Sequence, residues 1–198
     1  MTKSVAYGSL VYNRPVIVAF DTCTKTISVS SADRVWTREG PLKGNRSLYE
    51  GLLDVLGQES IKEKAIRAMI FTVGPGSFTG VRIGIATALG FYYTAGVSLY
   101  PVHTLLALAH AAQVEGDVHV SMPAYGGEYY YAAYQISHEK DHVITPPCLV
   151  KELPGSVTFP SPVMTVAEAL IRMGLRGNPS LPPIQPVYVG VSDAERGR

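Results

Sequence analysis

Apolar residues open the patterned part of the chain in short runs. Val16 to Asp21, V-I-V-A-F-D, is an apolar run that ends on a carboxylate, as a buried strand would. Thr22 to Thr26 is polar and reads as a turn. Ile27 to Ser31 alternates apolar and polar residues, the period of a half-buried strand. Ala32-Asp33 suits a tight turn, and Arg34 to Thr37 supplies a third strand. An antiparallel meander is therefore expected, after an unpatterned extension over residues 1–15.

The period then changes. Gly40 to Asn45 is loop. Leu48, Leu52, Leu53 and Leu56 follow helical spacing, with Ser47 placed to cap. Ala65 to Val73 is an apolar strand that runs into G-P-G-S-F-T-G, Gly74 to Gly80. Ser77 or Thr79 then caps a helix to about Ala95. Val97 to Val102 is a short strand, and Thr104 caps a helix rich in Leu and Ala to about Gln113. Strands are expected again at Val118–Met122, Glu128–Ile136 and Val143–Val150, with a helix at Thr165–Met173. The second half thus repeats the opening order in degraded form. This predicts an α/β protein with duplicated β-β-β-α-β-α lobes, the two-lobed ribonuclease-H-like plan of the actin-like ATPases. The first lobe is expected over 16–109 and a shortened second lobe over 110–198.

Composition narrows the function. The 198 residues are 46% hydrophobic and 17% charged, a globular balance, and the net charge of +1 gives no bulk electrostatic drive toward nucleic acid. A role in RNA metabolism would have to run through a partner. Cys23 and Cys148 are far apart and are expected to be reduced thiols of a cytoplasmic protein. Residues 1–15 lack the apolar stretch of a secretory signal. Val81 to Tyr100 includes Arg82, Thr87, Thr94 and glycines, too polar for a membrane span of about 20 residues.

The richest motif is G-P-G-S-F-T-G-V-R-I-G, Gly74 to Gly84. A strand delivers the chain to a Gly-Pro-Gly turn, and a helix starts with free N–H groups and a positive dipole end. That arrangement can cradle an anion or phosphate; a plain capped strand-to-helix turn has the same signature. No Lys-Ser/Thr pair follows, so it is not a Walker A loop. Asp21-Thr22-Cys23-Thr24 lies at a strand-to-strand turn, where it suits either a nucleotide-phosphate site or an Asx turn. Asp21, Thr22, Gly74, Gly76 and Ser77 are therefore candidate anion or nucleotide contacts. Gly80, Gly84 and Ala88 recur every fourth residue. Interior glycine costs a helix about 0.5–1 kcal/mol, so a closely approaching element is expected, from this chain or from another subunit. His138 and His142 read as a solvated hairpin, and His103 and His110 have no ligand at metal spacing. No metal site and no catalytic Ser-His-Asp or Cys-His set is expected. Tyr129, Tyr130, Tyr131 and Tyr134 lack interleaved Arg or Lys and read as an aromatic sheet face.

Together these residues resemble the TsaB (YeaZ) family. V-I-V-A-F-D-T-C-T-K-T-I-S-V-S is similar to its first two strands, and Gly74 to Gly90 is similar to its most distinctive stretch almost letter for letter. V-H-T-L-L-A-L-A, Val102 to Ala109, resembles the following strand end and helix, and P-V-Y-V, Pro186 to Val189, its closing strand. Ala124, Glu128 and Tyr130 are what remains of its D-A-R-x-x-E-V-Y segment; Pro123 and Tyr125 replace the aspartate and arginine. Arg46 stands where a histidine usually precedes the first helix.

The resemblance implies a non-catalytic scaffold, a paralogue of the catalytic subunit TsaD. Such a scaffold serves formation of threonylcarbamoyladenosine at position 37 of tRNAs that read ANN codons. It implies pairing with a TsaD-like subunit through the first two helices, self-association through the same face, and a TsaE-like ATPase in the assembly. tRNA would be met only indirectly. No cofactor of its own is implied, with ATP or ADP a candidate at the interface with partners. On this reading Leu48, Leu52, Thr79, Gly80, Gly84 and Ala88 are the candidate subunit contacts. The rival reading is a small-molecule kinase or metallopeptidase-like enzyme of the same superfamily.

Overall fold

The computed structural model describes residues 16–40, 46–57, 66–155, 157–176 and 178–189. The expected extension over residues 1–15 and most of the loop at 41–45 lie outside them. Three strands, β1 (Val16–Asp21), β2 (Thr26–Ser30) and β3 (Val35–Glu39), form the opening meander. Then follow α1 (Arg46–Leu56), β4 (Ile66–Thr72), α2 (Phe78–Ala95), β5 (Ser98–Val102) and α3 (Thr104–Ala111). The five strands make one sheet in the order β3-β2-β1-β4-β5. β1 runs antiparallel to β2 and parallel to β4, and β5 is parallel to β4. The order begins with the β-β-β-α-β-α plan expected for the first lobe and continues with β5 and α3.

Local chemistry sets the ends of α2. Ser77 is its N-cap, with Oγ accepting from Gly80 N at 3.2 Å. Gly96 closes it in the left-handed region, φ 67°, where a side chain would be strained. Thr104 is not a cap: His103 holds that position, and the Thr104 hydroxyl is buried, with the Cys23 thiol near it. Ser47 is likewise no cap. α1 begins one residue earlier, which carries Ser47 into the helix, buried with its hydroxyl unpartnered among the described residues.

The second half is a three-stranded antiparallel sheet, β6 (Gly116–Pro123), β7 (Tyr129–Ile136) and β8 (His142–Val150), followed by α4 (Val166–Met173). Thr165 and Glu168 form a capping box at the start of α4. Among the described residues this unit is β-β-β-α, the shortened lobe. Its expected closing strand at Pro186–Val189 is not a strand; a single backbone bond among the described residues ties it, Val187 N donating to Val73 O at 2.7 Å. The expected aromatic face is also corrected. β7 alternates, so buried Tyr131 and Tyr134 point to opposite sides of the sheet.

Three layers of contact hold the elements together. On one face of the large sheet Val18, Phe20, Val29, Met69 and Phe71 pack against Leu48, Leu52 and Leu56 of α1 and Val81, Ile85 and Ala88 of α2. On its other face Ala19 and Ile70 meet Ala107 of α3 and Val166, Leu170 and Met173 of α4. Leu105 and Ala109 of α3 also face Val118, Val120, Ala132 and Tyr134 of the small sheet. α3 is thus a shared layer between the sheets, and the lobe division expected at 109–110 falls within it. α4, from the second half, sits on the first sheet; its Ala167 N donates to Ser28 Oγ at 3.1 Å. No described helix is long and apolar enough to cross a membrane.

Candidate functional site

Asp21 ends β1 fully buried. One carboxylate oxygen accepts from Cys23 N at 3.0 Å and from Thr72 Oγ1 at 2.6 Å. The other accepts from Thr24 N at 3.3 Å and from Thr24 Oγ1. Burial pushes its pKa above the usual carboxylate value, and these hydrogen bonds only partly oppose it. Cys23 is buried beside it. Burial, then the neighbouring carboxylate, push its thiol up to about 12, so it is neutral and a poor nucleophile. Asp21 is thus saturated by its own turn together with Thr72 of β4.

The Gly-Pro-Gly loop closes over that turn. Ser77 N donates to Cys23 O at 2.9 Å, and Thr22 Oγ1 donates to Gly80 O at 2.7 Å. A Cβ on Gly80 would lie 1.8 Å from Thr22 O, and one on Gly76 would lie 2.3 Å from Cys23 O. One on Gly84 would lie 2.7 Å from Thr22 Oγ1. These glycines exist so that α2 can start against the backbone of the β1–β2 turn. The fold therefore brings the five candidate anion contacts together but turns most of them inward. Asp21, Thr22 and Gly74 are buried, Gly76 is half-buried, and exposed Ser77 uses its hydroxyl as the cap.

The candidate subunit contacts are corrected in the same way. Leu48, Leu52, Gly80, Gly84 and Ala88 are buried inside the chain's own fold, and only Thr79 is exposed. What faces outward between α1 and α2 is a groove of about 530 Å³, lined by Arg46, Tyr49, Leu52, Thr87, Gly90, Phe91 and Thr94. Thr87, Gly90 and Thr94 form a second track of small residues, and a Cβ on Gly90 would meet nothing within 4 Å. Tyr49 and Tyr93 stand exposed on the two helices. The sequence held a signal for this. Val81 and Ile85 sit one position beyond Gly80 and Gly84, so the large apolar side chains mark that stripe's side of α2 as core.

Elsewhere, no three His, Cys, Asp or Glu side chains gather as a metal site among the described residues. His138 pairs with Glu115 at 2.5 Å, apart from His142. His110 binds Asp141 at 2.8 Å, and Arg176 binds the same carboxylate oxygen at 2.6 Å, joining α3, the β7–β8 turn and the segment after α4. In the second unit, the turn that would face a nucleotide is a short 3₁₀ turn, Tyr125–Gly127, with Tyr125 exposed.

The family model described as "TsaD: tRNA N6-adenosine threonylcarbamoyltransferase" matches residues 46–182. A solved structure named YeaZ, from Pseudomonas aeruginosa, superposes with a TM-score of 0.61 at 25% identity, covering 74% of this chain and 71% of that one. The chain belongs to the TsaB/YeaZ family. It is 33% identical over 131 residues to the "tRNA threonylcarbamoyladenosine biosynthesis protein TsaB" of Escherichia coli, covering 60% of this chain and 54% of that protein. To the protein of the same name in Haemophilus influenzae it is 30% identical, over 48% of this chain and 42% of that one. The chain thus spans about half the length of these TsaB relatives. Within the family fold, the inward packing of the glycine-rich loop explains why that stretch has so little room for other residues.

Proposed function

We propose that this chain serves the formation of threonylcarbamoyladenosine at position 37 of tRNA as a non-catalytic scaffold. It docks a TsaD-like catalytic subunit on the α1–α2 groove, in the cytoplasm. The observation that carries the reading is the groove itself, with its small-residue track Thr87–Gly90–Thr94 and exposed Tyr49 in its lining. A helix can approach such a track closely, because helix axes pack about 8–10 Å apart and small residues favour the near end. Self-association uses the same face when the partner is absent. The saturated Asp21 turn supports the non-catalytic part of the reading, since neither a free carboxylate nor a reactive thiol is offered there. A TsaE-like ATPase joins the assembly, tRNA is met through the complex, and ATP or ADP belongs at the partner interface.

Co-purification from native lysate, scored for a TsaD-like protein, tests the pairing. Reconstitution of threonylcarbamoyl transfer with and without this chain tests the scaffold. The expected result is no transfer, kinase or peptidase turnover by the isolated chain and a strong dependence of transfer on its addition. Robust turnover by the chain alone, abolished by changing one of its own polar residues, would refute the reading.

A further inference from the structure

Each of the two meanders opens with a strand that has two edges to satisfy. In the first unit β1 is flanked by β2 on one side and by β4 on the other. In the second unit β6 holds the matching place, yet among the described residues it pairs with β7 alone. No counterpart of β4 follows, because the described chain passes from β8 to α4. One row of β6 backbone N–H and C=O groups therefore has no backbone partner among the described residues. The other outer edges are each blunted. An antiparallel bridge between Leu99 and Ser180 covers part of β5. β3 carries Arg38 and Glu39, and Arg38 is tied to Glu50 of α1. β8 contains Pro146 and Pro147 and shifts register against β7. β6 has none of these devices. Its residues, G-D-V-H-V-S-M-P, pair with β7 in unbroken register, include no Lys or Arg, and reach proline only at the end.

The side chains along this edge select what fits it. Val118 and Val120 are buried toward α3, so an added strand must keep its apolar residues on that face. On the opposite face Asp117 is exposed, with no partner among the described residues. Two positions on, His119 places Nδ1 at 2.8 Å from the Tyr131 hydroxyl, and its Nε2 has no partner among the described residues. A second β6 laid antiparallel against the first answers both. Registers that keep the valines on the α3 side and centre the pair on Val118 or His119 set Asp117 of each copy opposite or diagonal to His119 of the other. The same acid–imidazole contact then forms twice, as a twofold axis requires. We infer that β6 is a homodimerisation edge that joins the three-stranded sheets of two copies into one continuous sheet. It shares no residue with the α1–α2 groove, so the two surfaces can be tested separately.

The test is sedimentation velocity on the full chain carrying Gly90→Leu, which fills the small-residue track of the groove and removes association through that face. A concentration-dependent dimer is expected between micromolar and submillimolar protein. Adding Asp117→Lys should weaken it about tenfold or more, because two attractive cross-strand pairs become repulsive. Combining Asp117→Lys with His119→Glu restores opposite charges and should recover most of the dimer. Thermal unfolding checks that each variant stays folded. Hydrogen exchange gives a second reading that needs no β6 substitution: β6 amides should gain protection as the dimer forms, while those of β3 stay unchanged. A monomer throughout the range overturns the inference, and is the result expected if another segment of this chain or a different partner covers β6. Dimerisation indifferent to Asp117→Lys overturns it too, as does a folded double variant that dimerises no better than Asp117→Lys alone. Protection gained on α1 and α2 instead of β6 would return self-association to the groove.

Discussion

α2 carries two stripes of small residues that look alike in sequence and do opposite things. Gly80, Gly84 and Ala88 face inward, where Thr22 and Phe20 leave no room for a larger side chain. Thr87, Gly90 and Thr94 face outward over the α1–α2 groove, where Gly90 meets nothing. A small residue on a helix marks a close approach without saying by what. The neighbours decide: large apolar residues beside the first stripe anchor it to the core, and half-open positions beside the second leave it for a partner. The comparison predicts opposite behaviour for the same substitution in the two stripes.

The largest effect is expected from Gly84→Leu. The added side chain runs into Thr22 and Phe20, and overpacking of this kind costs about 1–3 kcal/mol. With a buried, hydrogen-bonded hydroxyl and a buried ring on the far side, the upper end applies. The melting temperature of the isolated chain should fall by about 6–12 °C for a cost of about 3 kcal/mol. An unchanged melting curve would place Gly84 outside the core and undo the inward assignment.

Gly90→Leu should separate fold from binding. Leucine gains about 0.5–1 kcal/mol of helix stability over glycine, so the lone chain should melt slightly higher. Binding to a TsaD-like subunit should drop about 5- to 150-fold, from a clash of about 1–3 kcal/mol. Isothermal titration of the two purified subunits measures this. Full-strength binding by a folded Gly90→Leu chain would remove the groove as the docking face.

Much of the fold was readable in the sequence because it rests on local chemistry. The runs at Val16–Asp21 and at Ala65–Val73, the Ser77 cap and the break near Ala95 each signal themselves within a few residues. What was not readable depends on contacts distant in sequence. Thr22 and Gly80 are 58 residues apart, and no periodicity within α2 reveals that they touch. The same holds for Ser28 and Ala167, 139 residues apart, which bring α4 onto the first sheet instead of its own. Ser47 looked like a cap because its residue type fits one, but Arg46 already lies inside the helix. Tyr188 entered as part of a closing strand; its place beside Phe78 follows from the bond between Val187 and Val73 and from the packing of Ile184 and Val187 on the core.

The ground under the inward stripe carries a pH signature. The Asp21 pKa is raised in the fold, so the folded state holds the proton more tightly than the unfolded chain does. The stability this contributes is complete below the ordinary aspartate value of about 3.9 and is lost as pH rises through the raised value. Urea unfolding followed upward in pH from about 3.9 should show stability falling with pH by a slope of at most one proton from this group. Asp21→Asn should lose that component of the slope, whatever its overall stability. Identical slopes in the two proteins would mean that Asp21 titrates normally.

The smallest change gives the sharpest comparison, alanine in place of glycine at the two positions. At Gly90 the new Cβ meets nothing within 4 Å, so the only consequence within the chain is better helix propensity. That gain is about 0.5–1 kcal/mol, or roughly 1–4 °C in melting temperature for a chain of this size. At Gly84 the same methyl would sit 2.7 Å from Thr22 Oγ1. Thr22 cannot simply turn away, because that hydroxyl donates to Gly80 O at 2.7 Å and is buried. Either the bond is lost, at about 0.5–1.5 kcal/mol, or α2 shifts off the sheet. The propensity gain is the same at both sites, so the difference between the two melting temperatures isolates the contact. Gly90→Ala should melt above the parent chain and Gly84→Ala below it. Two shifts of the same sign would show that both stripes face one environment, and the distinction between core and docking surface on α2 would fail.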